Sequence, residues 1–312
     1  MSIVIPSHCR VDLLRRCLDS VEKHAPGGTQ VIVVDDGSRA GSVSRAASVF
    51  DVQVVRMPRQ RGFCVAANTG LQVATAPVVE LLNDDTEVTD GWATAALEHF
   101  RDKRIAAVAP LVLNPPRPGE TMPRIDSAGD RYFIGGVAGK RGHGEALCAA
   151  YLSPCPVFGA SASSAFYRRE AVLRVGCFPE RFGAYFEDVD LAFRLQRVGY
   201  RAHFEPCSRV LHHGSASYGR PRRRLLETQS RNEELVWWRN LPAGELWRAM
   251  PLHLLVLAAK GWRRWQEGNV VPFACGRLRV MGELRSLMRH RRRLSEWGPA
   301  ESSEPWLVER RF

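Results

Sequence analysis

The chain has 312 residues, 45% of them hydrophobic and 25% charged, which excludes a disordered or fibrous protein and leaves room for one large domain or two modest ones. The net charge of +11 is uneven: residues 219–312 carry 19 Lys+Arg against 10 Asp+Glu, a surplus of 9, whereas residues 1–218 carry 25 against 23. The basicity of the C-terminal third admits nucleic acid, an anionic membrane surface or acidic substrates as partners. The most apolar late stretch, 252–259, falls far short of the roughly 18 residues needed to cross a bilayer. The chain opens on Ile3-Val4-Ile5 followed at once by Pro6, which does not read as a signal peptide. Eight scattered cysteines without a C-x-x-C pair read as free, buried thiols in a reducing compartment. The expected location is cytoplasmic or peripheral on the inner face of the cell membrane.

In chain order, residues 2–6 are a short β-branched strand closed by Pro6-Ser7-His8. Residues 11–24 place apolar side chains at 11, 14, 18 and 21, the spacing of a helix with one buried face. Residues 31–34 form a second strand that ends in Asp35-Asp36-Gly37-Ser38. A helix over 42–50, a third strand over 52–55 and a basic loop at 59–62 follow. Residues 63–74 form a helix in which Ala66, Ala67 and Gly70 are small enough for close packing on a sheet. Val78, Val79, Leu81 and Leu82 then make a buried strand that stops in Asn83-Asp84-Asp85. Strand–helix alternation of this kind predicts a parallel sheet, and acids at strand ends lie where open α/β sheets bind ligands.

A helix over 90–101 and a strand over 105–112 come next, with a Pro-rich loop at 114–120. Residues 125–149, rich in glycine, read as strands and turns. Residues 157–166 are dominated by small side chains, Gly159 and Ala160 among them. A short helix over 169–175 precedes a helix that opens with Glu187, Asp188 and Asp190. A strand over 201–206 leads to Val210-Leu211-His212-His213-Gly214-Ser215. The basic tail predicts amphipathic helices over 222–238, 246–264 and 280–294, with Trp at polar–apolar borders. That pattern suits an interfacial helix on anionic lipid, or equally a helix packed on the main domain with a solvated basic face. Residues 300–312 read as poorly ordered.

Four clusters of acids or histidines therefore stand at strand ends or a helix start: Asp35/Asp36, Asp84/Asp85, Glu187/Asp188/Asp190 and His212/His213. Two adjacent carboxylates repel unless a cation lies between them, and oxygen ligands suit a divalent ion.

The words and their order resemble the inverting glycosyltransferases of family 2. The matching segments are Ile3-Val-Ile-Pro-Ser7, Val33-Val-Asp-Asp-Gly-Ser38, Arg61-Gly-Phe with Asn68-Thr-Gly70, Leu82-Asn-Asp-Asp-Thr86, Phe186-Glu-Asp-Val-Asp-Leu191 and Val210-Leu-His-His-Gly-Ser215. The likeness covers residues 1–215 and is greatest to bacterial enzymes of cell-surface glycan synthesis, rhamnosyl- and galactofuranosyltransferase-like members among them. It implies an α/β GT-A fold over 1–218, a Rossmann-like, mostly parallel sheet flanked by helices, with a basic helical extension over 219–312. It also implies transfer of a sugar from a UDP-, dTDP- or GDP-linked donor to a hydroxyl of a glycan, lipid-linked or small-molecule acceptor.

The resemblance further assigns roles. Pro6, Ser7, Asp36, Arg61, Asn68, Asn83, Asp84 and Gly159 would bind the nucleotide sugar, with Asp36 reading the base and Arg61 near the diphosphate. Asp85 and His212 would hold Mn²⁺ or Mg²⁺, the imidazole favouring Mn²⁺. Asp188, beside Glu187, would be the catalytic base. Three rivals stand beside this reading, and the intact set of Asp85, Asp188 and His212 argues against one of them, a catalytically inactive member acting as a scaffold. A nucleotidyltransferase acting on sugar phosphates would want a Gly-rich basic loop after the first strand, and Ser7-His8-Cys9-Arg10 has no glycine. A nucleic-acid-binding protein would leave the acid clusters of residues 1–215 without a purpose, so no nucleic-acid partner is expected.

Overall fold

The computed structural model describes residues 1–116, 119, 122–214, 223–297 and 308–310. Its centre is strand β1 (Ser2–Ser7), buried along its whole length. It pairs in parallel with β2 (Gln30–Asp35) on one side and β4 (Val78–Leu82) on the other, and β2 pairs in parallel with β3 (Gln53–Arg56). Helices α1 (Val11–His24), α2 (Ser42–Ala47) and α3 (Phe63–Val73) connect these strands, as the alternation predicts. The two faces of β1 feed two apolar clusters: Ile3 and Ile5 join Leu14 and Leu18 of α1, while Val4 joins α3. Gly70 is what lets α3 sit this close, since a Cβ there would lie 2.2 Å from Val4 Cγ1.

Past β4 the sheet stops being purely parallel. Strand β5 (Thr86–Val88) follows Asp85 directly. Strand β11 (Ser164–Arg168) lies antiparallel between β4 and β6 (Ile105–Asn114), and β12 (Arg201–His212) runs parallel to β6. The glycine-rich stretch supplies β7 (Arg124–Ser127) against β6, and a hairpin of β8 (Asp130–Phe133) and β9 (Val137–Lys140). With β10 (Cys155–Val157) at the edge, the order is β10-β12-β6-β11-β4-β1-β2-β3. The strand expected over 201–206 is longer: it passes an irregularity between Glu205 and Arg209 and continues to His212. Pro206 falls within that irregularity, where its missing N–H does not break a regular ladder.

The remaining helices are α4 (Trp92–Glu98), α5 (Arg169–Arg174), α6 (Glu187–Arg197), α7 (Arg223–Asn240), α8 (Ala243–Gln266), α9 (Val270–Arg279) and α10 (Leu284–Glu296). Residues 215–222, and with them the expected boundary at 218/219, lie outside the described residues. Helix α7 is an interior element: Trp237 is fully buried, donates its indole N–H to Ile134 O at 2.9 Å, and stacks on His253 with ring centroids 3.7 Å apart. Of the tail expected to be poorly ordered, residues 308–310 are described, and Glu309 bridges to the β8 end through Glu309 N–H to Tyr132 O and Ile134 N–H to Glu309 O. All eight cysteines are free, but only Cys17 and Cys64 are buried; Cys9, Cys148 and Cys207 are exposed, which corrects the expectation of buried thiols. Among the described residues no helix is long and apolar enough to cross a membrane.

Candidate active site

The site lies at the carboxyl ends of β1, β2, β4 and β12. Because β5 begins at Thr86 and pairs antiparallel with β12, with His212 opposite Thr86, residues 126 positions apart in sequence meet. His212 Nε2 lies 3.3 Å from Asp85 Oδ1, and its Nδ1 lies 3.1 Å from Asp126 Oδ2 on β7. Asp126 also takes Lys140 Nζ at 2.7 Å. The two carboxylates lift the His212 imidazole to about 9 against the opposing pull of burial. Burial pushes Asp85 up, but His212 and Arg10 outweigh it and hold the carboxyl at about 2.

Asp84 is turned the other way. Ser7 Oγ donates to its Oδ2 at 2.6 Å and Arg10 donates to its Oδ1, while burial raises its pKa above the usual carboxylate value. Arg10 also donates to Asp85 Oδ2 at 2.5 Å, so one guanidinium spans both acids. Pro6 and Ser7 are the last residues of β1 itself, rather than of the loop after it. Asn83 meets its surroundings through its backbone, its N–H on Ser163 O at 3.0 Å.

The second acid cluster opens α6. Asp188 is half-buried, with Oδ2 accepting the Ala162 N–H at 3.0 Å and Oδ1 its neighbour Val189 N–H at 2.8 Å. Burial raises its pKa against those two donors, and it raises Glu187 and Asp130 much further, each with the Asp188 charge adding to the effect. One oxygen each of Glu187 and Asp130 is buried without a hydrogen-bond partner. Tyr185 and Phe186, immediately before the acids, hold φ of 72° and 66°, unusual for bulky side chains and found where a site over-determines its backbone. Asn232 of α7 supplies the restraint: its Nδ2 lies 2.9–3.0 Å from the carbonyls of Phe182, Ala184 and Tyr185. Asp190, third of the acids, points away into an ion cluster with Arg194 Nε at 2.8 Å, Arg239 Nε at 3.0 Å and Asn240 Nδ2 at 2.9 Å.

Other expected site residues are placed as follows. Asp36 accepts the Arg61 N–H at 2.7 Å and the Gly62 N–H at 2.8 Å, tying the 59–62 loop to the end of β2. The Arg61 side chain is exposed and lies 3.9 Å from Glu180. Asn68 is not presented to a ligand: both atoms of its buried amide bond the Phe178 backbone, each at 2.9 Å. Gly159 serves internal packing, since a Cβ there would come within 2.7 Å of Ala192 Cβ on α6. His213 pairs with Glu87 at 2.6 Å. Sequence reasoning missed Arg10, Asp126, Lys140 and Asn232, whose partners are 47–86 residues distant or, for Lys140, 14.

The profile described as Glycosyl transferase family 2 matches residues 2–175, more than half of the chain. The chain belongs to glycosyl transferase family 2. The match stops short of Glu187, Asp188 and His212, whose placement is known from the geometry above. The pre-mycofactocin glycosyltransferase of Mycobacterium tuberculosis is 30% identical over 214 residues, covering 68% of this chain and 42% of that protein. This family 2 chain thus spans under half the length of that relative. The N-acetylglucosaminyl-diphospho-decaprenol L-rhamnosyltransferase of the same organism is 27% identical over 259 residues, covering 72% of this chain and 82% of the relative. Among solved structures, the Pyrobaculum calidifontis mannosyltransferase with GDP-Man and Mn²⁺ superposes with a TM-score of 0.53 at 18% identity, over 95% of this chain and 84% of the other. Residues 1–349 of TarS from S. aureus with UDP-GlcNAc give 0.54 at 14% identity, over 81% and 71%. These likenesses show the GT-A fold, the mixed sheet flanked by helices that the sequence implies.

Proposed function

We propose that this family 2 glycosyltransferase moves a sugar from a nucleotide-sugar donor to an acceptor hydroxyl with inversion, assisted by a divalent cation. The observation that carries the reading is the stitching of both acid clusters to consecutive residues: Ser163 O accepts the Asn83 N–H beside Asp84 and Asp85, while Ala162 N–H binds Asp188. A donor diphosphate at the β4 end and an acceptor hydroxyl at the α6 start are thereby brought to one place. Asp36, with the 59–62 loop it anchors, would face the base, and Ser7 and Asp84 the ribose.

The residues fit a divalent ion. Asp85 Oδ1 is buried without a hydrogen-bond partner and lies beside His212 Nε2. Among the described residues no group of three or more His, Cys, Asp and Glu is arranged to hold a metal alone. A site of Asp85 and His212 completed by substrate phosphates agrees with that, because Mg²⁺ and similar ions commonly bind through one or two protein ligands plus the nucleotide. Bound there, Mn²⁺ or Mg²⁺ would neutralise charge on the diphosphate leaving group. Asp126 orients His212 from behind. Asp188 takes the acceptor proton; burial makes it a stronger base than a surface carboxylate, and its two backbone donors fix its direction. Burial and the Asp188 charge both drive Glu187 toward its neutral form.

The acceptor side is a cleft of about 350 Å³ next to Tyr185 and Phe186, walled by Lys260, Arg263 and Arg264 of α8 and Phe273 of α9. Ten of the thirteen exposed large apolar side chains among the described residues lie in 247–288, including Trp247, Leu255, Trp262 and Met281. With Arg248, Arg279, Arg285 and Arg289 interspersed, this face suits an anionic membrane surface carrying a lipid-linked acceptor. Co-sedimentation with anionic liposomes at low salt tests that part, and protein left in the supernatant removes it. The donor reading is tested by calorimetric titration of UDP, dTDP and GDP with Mn²⁺. One nucleotide is expected to bind, more weakly in Asp36→Ala and Asp85→Asn and unchanged in Asp188→Asn; no binding by any of the three overturns it.

A further inference from the structure

Arg10 stands between β1 and α1, three residues past Ser7 and at the position preceding the first residue of α1. Its guanidinium donates to Asp84 Oδ1 and, at 2.5 Å, to Asp85 Oδ2. The Arg10 side chain is 23% exposed whereas the two acids are 3% and 4% exposed, so the cation approaches from the open side of the site. Two buried adjacent carboxylates need such a partner, because an uncompensated buried charge is costly. A divalent ion on Asp85 and His212 would compete with Arg10 for the same carboxylate, and three positive charges would then face two negative ones. The donor's diphosphate restores the balance, and a planar guanidinium matches phosphate oxygens as well as it matches carboxylate oxygens.

We propose that Arg10 is a displaceable counter-cation, which holds Asp84 and Asp85 in the free protein and passes to the donor diphosphate when a divalent ion takes Asp85. It would then be a positioning group in one state and a leaving-group contact in the other. The inference rests on the reading of Asp85 and His212 as the cation site.

The test is a pair of binding measurements on the full chain. Arg10→Met keeps the aliphatic stem and removes the charge. Mn²⁺ affinity without nucleotide is read from the free-ion paramagnetic resonance signal. Affinity for UDP, dTDP and GDP is read at saturating Mn²⁺. The two effects are expected to have opposite signs: Mn²⁺ binds about tenfold more tightly in Arg10→Met, and the nucleoside diphosphate about tenfold more weakly, each the size of one charge-assisted contact. Arg10→Lys should fall between. A merely structural arginine would weaken both together, and an arginine that touches neither ligand would leave both unchanged; either result overturns the proposal. Adding Asp85→Asn separates the two readings. Mn²⁺ binding that ignores Asp85 overturns the cation site and Arg10's part with it, whereas binding that needs Asp85 but ignores Arg10 overturns the Arg10 proposal alone.

Discussion

Asp190 is the third acid of the Glu187-Asp188-Asp190 group, and the structure gives it a task unlike its neighbours'. It is fully buried, and the two guanidiniums it binds, Arg194 and Arg239, are only 3% and 9% exposed. Asp190→Asn keeps the shape and removes the charge. Breaking a buried pair by deleting one partner costs about 3–5 kcal/mol, because the surviving charge stays buried, and here two survive. Against a total of about 5–15 kcal/mol for a folded domain, that is about a fifth of the stability or more. In urea unfolding followed through the buried Trp237, the midpoint at pH 7 should fall by about 1–2 M. Arg239 and Arg194 hold the Asp190 carboxyl far below the usual range despite burial. The group's contribution is therefore complete above the unfolded value of about 4 and fades as pH drops below it. The gap between wild type and variant should be full at pH 6–7 and narrow on acidification. A loss below about 1 kcal/mol, or a gap that does not narrow, would refute the assignment, as would a variant that keeps its stability but loses turnover.

Three further outcomes are expected. Asn232→Ala releases the turn that presents Asp188, so kcat for donor turnover should drop about ten- to hundredfold with donor KM little changed, because a displacement near 1 Å is enough; a pure KM effect would contradict this. Gly159→Ala forces α6 away through Ala192 and should cost about 1–3 kcal/mol of unfolding free energy, partly restored by adding Ala192→Gly; no rescue in the double variant argues against the contact. Glu80, buried between Trp92 Nε1 at 3.1 Å and Ser164 Oγ at 3.0 Å, is pushed by burial up to about 8, so the folded protein binds a proton that the unfolded chain has released. Wild type should lose stability from about pH 5 to pH 8, and Glu80→Gln should flatten that slope in thermal melts; an unchanged slope would show that Glu80 is ionised.

Much of the architecture was legible because it is local. Strand periodicity over residues 2–6, 31–34 and 78–82 marks the parallel half of the sheet, and the acids at those ends mark the candidate site. What was not legible depends on pairings between distant strands. That Asp126 backs His212 requires β7 to lie on β6 and β12 to run beside them, and β7 lies in a glycine-rich segment with no clear period. Arg10 reads as one surface arginine among many until β1 and β4 are adjacent. Asn68, expected among the nucleotide-sugar residues, forms an internal clamp on Phe178, a task that a polar side chain in a matching motif equally suits. The aromatic, basic tail carries two kinds of helix with similar composition. Burial separates them: α7 tucks Trp237 into the interior, whereas α8 leaves Trp247, Trp262 and Trp265 exposed.

The most direct test is nucleotide release. Wild type and Asp188→Asn would each be incubated with Mn²⁺ and a panel of UDP-, dTDP- and GDP-sugars, and the freed nucleoside diphosphate measured against pH. Wild type should slowly hydrolyse one donor, losing activity as acid protonates Asp188 at a pH above the ordinary aspartate value of about 4, and losing it also on chelation. Asp188→Asn should bind the same donor and release almost nothing. Equal release from wild type and Asp188→Asn would contradict the assignment of Asp188 as the base.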